Sequence, residues 1–434
     1  MNPARRPPPP PPPPPCVDHE LSCGVDGVSR NQLHDQRKGV DLYDPQLYAR
    51  GEAHRVWRAL RDHTPVHWNA EPGPGFWAVT RYRDVRWVLR DHEAFTSELG
   101  IVLWSLGVPD PAAGKMVAVT DPPRHQRLRE PLGRPLTRHA VGDHAGWLRA
   151  LVRETIAPAW DCDVWDVAAA FARLPVASVV RLMDFPREDL EVLLQWTYAA
   201  VAPLDPHYRT GSMESTLLRA HHEIMNYFRR RVRERRAALG TDLLSHLLTV
   251  DAGGRPMTDE EVIVNCYNVF LGAAVTTSQA IVSTLIAVAE QGGGEGRWPV
   301  DAPTSTAVEE ALRWSSPTMN FLRHAKHDLE LHGVTIRAGD AVLASIASAN
   351  RDERVFDRAD VFDPARTPNP HLAFGGGAHY CVGQSLARLT LQLVFEEFFT
   401  RLECFELAEP PVRLVSNLAA GVVSAPMRLK LRPR

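Results

Sequence analysis

The chain has 434 residues, of which 44% are hydrophobic, enough to bury a large core. Its 49 basic and 52 acidic side chains leave a net charge of -3, which excludes a global electrostatic attraction to nucleic acid or to an anionic membrane. The six cysteines lack the paired spacing of a disulfide framework or a zinc site, so we expect reduced thiols in a cytoplasmic protein.

Residues 1–40 are predicted to form a disordered tail. Nine prolines, Pro7 to Pro15, lack the N–H groups that helices and sheets need, and they favour an extended polyproline helix. The tail could be a ligand for a proline-binding partner, or it could be dispensable. It has no charged and then apolar signal pattern, so we do not expect secretion.

The folded part is expected to begin at Asp41 with short helices and strands. Apolar residues at helical spacing predict a helix around residues 53–60 and another around 85–89. Two strands, over 67–69 and 75–80, are predicted to flank a Pro- and Gly-rich turn. Residues 94–120 have weak periodicity and read as a long, partly apolar loop, which in compact domains is usually functional.

Residues 121–250 are predicted to be mainly helical. The segment Asp121 to Arg129 combines a proline pair suited to a helix start with clustered basic groups, which alone would indicate a solvated helix face. Amphipathic helices separated by short breaks follow over 140–250. The basic run at residues 229–236 could bind nucleic acid, but the balanced charge of the chain favours a solvated helix face.

A long uncharged helix is predicted over residues 259–290. Thr258 and Glu261 have the spacing of a capping box, and no charged residue occurs from Val262 to Ala289. A run of this length could span a membrane. Its Asn, Gln, Ser and Thr residues argue against lipid contact, so we interpret it as a buried central helix. Because residues 292–303 are rich in Gly and Pro, little helix is expected there.

A glycine-rich loop near the C-terminus carries the most specific motif, Phe374 to Gly383, and an apolar helical run follows it. Free N–H groups and the helix dipole at a helix N-terminus lower the pKa of a cysteine thiol such as that of Cys381. The glycines let the backbone approach a flat, bulky group. Taken alone, Cys381 could also be a buried structural cysteine.

The pattern F-x-x-G-x-H-x-C-x-G in this loop resembles the haem-binding loop of the cytochrome P-450 superfamily. The resemblance extends over residues 41–434 and implies a single domain with an α+β fold, mainly α with small β-sheets. It implies a soluble bacterial-type haem-thiolate monooxygenase that binds haem b (iron protoporphyrin IX) with Cys381 as the axial ligand. The other cofactor contacts that it implies are His125, Arg129, Arg323, Phe374, His379 and Gly383.

The same resemblance implies a buried structural triad. Glu310 and Arg313 form an E-x-x-R pair one helical turn apart, which by itself would be an ordinary surface ion pair. In the family an arginine from a later segment joins this pair, and here that residue is Arg366. The triad is expected to hold the loop that leads to Cys381.

The central helix is expected to carry the catalytic groups. Gly272 to Thr277 is similar to the family's oxygen-binding segment, which makes Thr276 and Thr277 the catalytic candidates. Ala273 replaces a usual glycine, and Val275 occupies the position of an acid. We therefore expect protons to come through ordered water or from the substrate.

The family analogy also predicts a mainly apolar substrate pocket, which indicates a hydrophobic or amphipathic organic substrate. The residues expected to line it are Leu103, Trp104, Ala273, Ala274, Met319, Asn320, Phe321 and Val422.

The resulting hypothesis is a monooxygenase that hydroxylates or epoxidises a small molecule in secondary metabolism. Electrons would come from a separate ferredoxin or flavodoxin system, docking near Arg124, Arg127 and Arg388. A carrier protein is a further candidate partner, and a cytoplasmic monomer without nucleic-acid or membrane contacts is expected. The alternatives are an oxidative C–C or C–O coupling enzyme, a non-catalytic member that recruits a partner, and a haem sensor.

Overall fold

A computed structural model describes residues 40–70, 72–299 and 301–432. The predicted polyproline tail, residues 1–40, lies outside the described residues except for Val40. The described helices are α1 (Pro45–Ala49), α2 (Ala53–His63), α3 (Tyr82–Arg90), α4 (Arg124–Gly133), α5 (Arg138–Gly142), α6 (Ala145–Ile156), α7 (Val167–Leu182), α8 (Leu190–Val201), α9 (Met213–Ala237), α10 (Leu243–Thr249), α11 (Asp259–Ala274), α12 (Thr276–Gln291), α13 (Thr304–Ser315), α14 (Ile346–Ala349) and α15 (Gln384–Glu397).

Short strands form two small sheets and two hairpins. The strands are β1 (Val66–Asn69), β2 (Phe76–Val79), β3 (Phe95–Thr96), β4 (Trp165–Asp166), β5 (Glu295–Gly296), β6 (Phe321–Ala325), β7 (Leu329–Leu331), β8 (Val334–Ile336), β9 (Ala341–Ala344), β10 (Leu402–Leu407), β11 (Val412–Arg413), β12 (Val422–Ser424) and β13 (Pro426–Leu431). The first sheet has the order β1-β2-β9-β6-β3 and the second β4-β13-β10-β5, while β7-β8 and β11-β12 pair separately. The expected fold, mainly α with small sheets, is confirmed.

The pairing of the first sheet positions β6 for the functional site. β9 pairs in parallel with β2, with Trp77 opposite Val342, and antiparallel with β6, with Leu322 opposite Leu343. Because side chains alternate along a strand, Phe321 and Arg323 of β6 share one face. That face looks toward the central cavity described below.

The central helix pair α11 and α12 lies in the main hydrophobic core. Its buried residues include Val262, Phe270, Ile281 and Leu285, none more than 2% exposed. Among the described residues, Asp259–Gln291 is long and apolar enough to cross a membrane, but 72% of its most apolar 18-residue window is buried inside the fold. Burial by α7 and α13 accounts for its apolar composition.

The start of α11 follows the predicted capping box. The Thr258 hydroxyl accepts the N–H of Glu261 at 3.2 Å, and the Glu261 carboxylate accepts the N–H of Thr258 at 2.8 Å. The prediction of one unbroken helix over 259–290 was wrong at Val275, where α11 ends and α12 begins with φ −105° and ψ −37°. Two side-chain hydroxyls donate hydrogen bonds to backbone carbonyls at this break. Thr276 donates to Gly272 and Ser278 donates to Val275, each at 2.8 Å.

Candidate active site

The cysteine loop holds Cys381 at the start of α15. The Cys381 N–H donates to the Phe374 carbonyl at 2.9 Å, which closes the loop, and the sulfur accepts the backbone N–H groups of Gly383 and Gln384. Gly377 has φ +64°, and a Cβ there would lie 2.8 Å from the Arg90 Cα atom. Glycine is therefore required at this position both by conformation and by the close approach of α3.

Opposing influences act on the pKa of the Cys381 thiol. Burial raises its pKa above the ordinary value, while the Gly383 and Gln384 N–H groups and the charges of Arg129 and Arg388 act to lower it. The expectation from sequence that the helix N-terminus lowers this pKa is corrected, because burial outweighs it. A coordinated metal deprotonates a cysteine thiol outright, and the two N–H donors then stabilise the thiolate.

A cavity separates the cysteine loop from the junction of α11 and α12. One wall is formed by Ala373 to Gly376 and by Cys381 to Gly383. The facing wall is mostly apolar and includes Ile101, Val117, Ala118, Val269, Ala273, Pro317 and Phe321. Such a slot accommodates a flat cofactor and, beside it, an apolar ligand.

Four basic side chains line this cavity at one edge: His125, Arg129, Arg323 and His379. Neither ring nitrogen of His125 has a hydrogen-bond partner, although both are buried. Arg323 is 5% exposed, and its guanidinium donates to the Leu322 carbonyl. Among the described residues no carboxylate lines the cavity. This uncompensated basic edge, facing a sulfur ligand across an apolar slot, fits the two propionate groups of haem.

Burial is the main influence on the pKa values of these groups, and Asp121, which lies outside the cavity lining, offsets it only in part for His125 and Arg323. Burial, followed by the charge of Arg129, lowers the pKa of His125 to about 4. Burial and the charge of Arg323 lower that of His379 to about 2. Burial also lowers the pKa of Arg323 to about 10. Each shift reflects a site that favours an added negative charge.

The remaining predicted cofactor contacts surround the cysteine. Phe374 lines the cavity, is 9% exposed and packs under the Arg388 guanidinium, 4.5 Å from its ring centroid. Arg129 donates to the Tyr380 carbonyl, which ties α4 to the cysteine loop. His379 lies 3.2 Å from the Ser97 hydroxyl through its Nε2 atom.

The two candidate threonines lie on the facing wall. Thr276 and Thr277 both line the cavity, and the Thr276 hydroxyl donates to the Gly272 carbonyl. Val275 points elsewhere, because it is 2% exposed and packs with Tyr198, Leu414 and Ala419. The position that holds an acid in the family's motif is therefore apolar and turned into a core cluster.

The structure brings Glu310, Arg313 and Arg366 together in the interior. Glu310 and Arg313 are both 0% exposed and lie 2.7 Å apart, and Arg366 reaches the same carboxylate at 3.1 Å. Arg313 also donates to the Asn350 and Ala359 carbonyls at 2.8 and 2.9 Å. The triad thus holds the irregular segment between α14 and the cysteine loop.

The structure places two of the eight predicted pocket residues in the lining of the cavity. Ala273 and Phe321 line the cavity, whereas Leu103 and Ala274 are buried in the protein. Trp104 lines a separate small cavity with Pro203 and Met213.

The other three predicted pocket residues, Met319, Asn320 and Val422, are not part of the lining of this cavity either. The Met319 and Val422 N–H groups bond the Leu418 carbonyl and the Gln279 side chain, and Asn320 donates to the Asn417 carbonyl.

Sequence reasoning did not single out several cavity residues, among them Ile101, Val117, Ala118 and Asn268. The loop over 94–120 was expected to line the pocket, but its weak periodicity does not distinguish inward from outward side chains. Helical spacing from Thr276 offered a signal for Asn268, since residues four apart share a helix face.

Comparisons with known proteins agree with this geometry. Residues 304–432 match the family model described as Cytochrome P450. The chain is 34% identical over 398 residues to cytochrome P450 NovI of Streptomyces niveus, covering 90% of this chain and 96% of that protein. It is 32% identical to linalool 8-monooxygenase of Pseudomonas putida, covering 88% and 97%. The crystal structure of P450 OxyD, which is involved in the biosynthesis of vancomycin-type antibiotics, superposes with a TM-score of 0.78 at 33% identity, covering 91% and 100%.

These matches span the folded chain at more than 30% identity, and the cysteine loop has the residues that a haem thiolate requires. The expected family, cofactor and enzyme class are therefore confirmed. The chain belongs to the cytochrome P450 family of haem-thiolate monooxygenases.

Proposed function

We propose that this enzyme inserts one oxygen atom of dioxygen into a hydrophobic or amphipathic organic molecule, by hydroxylation or epoxidation, in the tailoring of a secondary metabolite. The observation that carries the proposal is the cavity wall opposite Cys381, which is apolar apart from a few uncharged polar groups. Such a wall selects a neutral, largely apolar ligand. Haem held by Cys381 would supply dioxygen activation, because a thiolate ligand favours cleavage of the oxygen–oxygen bond.

The residues of the chain orient and neutralise this cofactor. The Gly383 and Gln384 N–H groups hold the Cys381 sulfur, and Arg323, with Arg129 and the two histidines, pairs with the propionates. These contacts fix the cofactor between the cysteine loop and the helix junction. The Glu310 triad supports the loop from behind.

Proton movement is assigned to Thr276 and to water. The Thr276 hydroxyl donates its proton to the Gly272 carbonyl, which leaves the lone pairs of Oγ1 free to accept a hydrogen bond from the cavity. Since Val275 cannot exchange a proton, the proton must reach Thr276 through ordered water or from a polar group of the substrate. Thr277 supplies a second hydroxyl at the same level of the cavity.

The relatives support the substrate class. Linalool 8-monooxygenase is named for the oxidation of linalool. P450 OxyD is described as involved in the biosynthesis of vancomycin-type antibiotics. We extend only the broad class, a small natural product, to this chain.

Electrons come from a separate ferredoxin or flavodoxin. The enzyme itself is proposed to be a soluble, cytoplasmic monomer. Arg124 and Arg127 are exposed near the cysteine side, and they are the cations proposed to contact an acidic partner. Arg388 is less suited than expected, because Glu309 binds its guanidinium at 2.6 Å. A carrier protein that presents the substrate remains a second proposed partner.

A reaction in labelled dioxygen tests the proposal. Purified enzyme with a ferredoxin and its reductase should convert a bound small molecule into a product that contains one labelled oxygen atom. The Cys381→Ser variant should lose this activity and the thiolate signature in the reduced carbon monoxide difference spectrum. A product without labelled oxygen would contradict the proposal.

A second candidate is oxidative C–C or C–O coupling, which the burial of Val275 favours because an acid-assisted proton route is missing. It predicts a coupled product that lacks the label in the same experiment. The two outcomes exclude each other for a given substrate.

A further inference from the structure

Asn268 on α11 lines the cavity eight residues before Thr276, which begins α12. Asn268 and Gly272 are four residues apart and share one face of α11. They are separated by about 6 Å along the axis of α11, at about 1.5 Å per residue. Thr276 follows beyond the helix junction at Val275, so the Asn268 amide lies farther from Thr276 along the cavity than Gly272 does.

The side chains of Asn265 and Asn268, one turn apart on α11, have different surroundings. Asn265 is fully buried, accepts the Val117 N–H at 2.9 Å, and donates to the carbonyls of Lys115 at 2.8 Å and of Glu261 at 2.7 Å. The Asn268 side chain is half-buried, lines the cavity and has no hydrogen-bond partner among the described residues. Asn265 thus holds the Val117 segment against the helix, and the Asn268 amide is left for the cavity.

Because its surroundings are apolar, the Asn268 amide is unfavourable when it has neither water nor a ligand as a hydrogen-bond partner. Val117, Ala118, Val269 and Ala273 line the same cavity wall. When an apolar ligand displaces water from this wall, an amide without a partner loses its hydration and gains no hydrogen bond in return. A ligand that supplies a hydrogen-bonding group avoids this loss, so the amide discriminates between ligands.

The charge distribution limits the chemistry of that group. The basic side chains of the cavity lie at the edge assigned to the propionates, and among the described residues no carboxylate lines the cavity to receive an ammonium group. A carboxamide both donates and accepts hydrogen bonds, which suits an uncharged oxygen.

We propose that Asn268 is a specificity-determining residue that binds an uncharged hydroxyl or carbonyl group of the substrate, at a site away from the carbon that is oxidised beside Thr276. This inference rests on the proposed function and narrows its substrate class to amphipathic molecules with an oxygen substituent remote from the reacting carbon.

Spectroscopic binding of paired probes tests the inference without turnover. The probes are alkylimidazoles that end in a methyl group and the same chains ending in a hydroxyl group, over a series of chain lengths, titrated into the haem-loaded enzyme. At one chain length the wild-type enzyme should bind the hydroxyl probe about three- to tenfold more tightly than its methyl partner, the effect of one hydrogen bond. Asn268→Leu should abolish this preference.

A matched control uses Thr318, another cavity residue with an uncharged polar side chain. Thr318→Val should keep the hydroxyl preference, and Asn268→Ser, which retains a smaller donor and acceptor, should keep part of it. If Asn268→Leu does not fold, Asn268→Ala makes the same deletion with less bulk. An unchanged preference in the Asn268 variants, or its loss in Thr318→Val alone, would overturn the inference.

The result is separable from the proposed function. An enzyme that shows the Asn268-dependent preference but yields product without labelled oxygen refutes the monooxygenase proposal and leaves the binding role standing. An enzyme that incorporates the label without any such preference refutes only the role of Asn268.

Discussion

The imidazole rings of His125 and His379 lie with their centroids 4.5 Å apart and tilted by 58°, although one begins α4 and the other belongs to the cysteine loop. Both have pKa values far below the ordinary range, so both are neutral near pH 7 and each can donate an N–H group. Together with Arg323 they provide a carboxylate-binding edge assembled from distant parts of the chain. This pairing supports our proposal that the haem propionates bind at this edge.

The first prediction concerns haem retention. Arg323→Leu should release haem at least about tenfold faster than wild type, because a charge-assisted hydrogen bond contributes about 1.5–3 kcal/mol. His125→Phe, which keeps a ring but no N–H group, should act in the same direction with a smaller effect. Transfer of haem to an excess of apoglobin measures the rate. The exposed Arg337→Leu variant is the control, and equal rates for it and for Arg323→Leu would refute the assignment.

The second prediction concerns the buried triad. Glu310→Gln should lower the free energy of unfolding by about 3–5 kcal/mol, because it leaves the buried charges of Arg313 and Arg366 without a carboxylate. Urea unfolding of the haem-loaded enzyme measures the change. The control is Glu191→Gln in the exposed pair with Arg173, which should change stability by about 0.2–1 kcal/mol. Similar values for the two variants would contradict a stabilising triad.

The third prediction concerns the missing acid at position 275. Val275→Asp should change the ratio of product to peroxide, because it places a group that can exchange a proton directly before Thr276 in the chain, behind the cavity wall. It should also destabilise the protein by about 1–3 kcal/mol, since the side chain is 2% exposed among Tyr198, Leu414 and Ala419.

Product and peroxide formed per electron pair measure the coupling of the Val275→Asp variant. Val275→Asn matches its shape but cannot exchange a proton at neutral pH. A coupling ratio that is unchanged in Val275→Asp, or changed equally in Val275→Asn, would count against a role for proton supply at this position.

The fourth prediction concerns pH and the start of α11. The bond from Arg255, opposed by burial and reinforced by Thr258, lowers the pKa of Glu261 from 4.5 to about 2. The native state thus holds the carboxylate more strongly than the unfolded chain does. The resulting stabilisation is complete above pH 4.5 and is lost as the pH falls toward 2.

Because Arg255 is 54% exposed, we expect Glu261→Gln to lower stability at pH 7 by only about 1–2 kcal/mol. The difference from wild type should shrink between pH 4.5 and pH 3. Urea unfolding at each pH measures it, and a difference independent of pH would contradict the carboxylate's role.

Local sequence was sufficient where one short segment carries the information. The Phe374–Gly383 motif indicated the haem ligand, and the Thr258 capping box marked the start of α11. The hairpin of β7 and β8 turns at His332 and Gly333, both of which have positive φ. In these cases the backbone conformation depends on neighbours within a few residues.

Local sequence was insufficient where the outcome depends on packing between distant segments. The direction of the Cys381 pKa shift depends on burial, which outweighs the helix N-terminus. The orientation of the Val275 side chain depends on its packing with Tyr198 and Leu414. Six of the eight predicted pocket residues lie off the cavity because family analogy gives their chain segment but not the direction of each side chain.

The amino-acid sequence by itself indicated the haem-thiolate family, the mainly helical fold and the residues of the triad, because its short motifs resemble those of the cytochrome P450 family and because helical periodicity is local. Only the tertiary structure decided which polar groups meet in the cavity. His125, Arg323 and His379 meet at one edge, and Asn268 of α11 lines the same cavity. The physical reason is that burial and hydrogen-bond satisfaction are set by contacts between segments far apart in the chain, which spacing along the sequence does not encode.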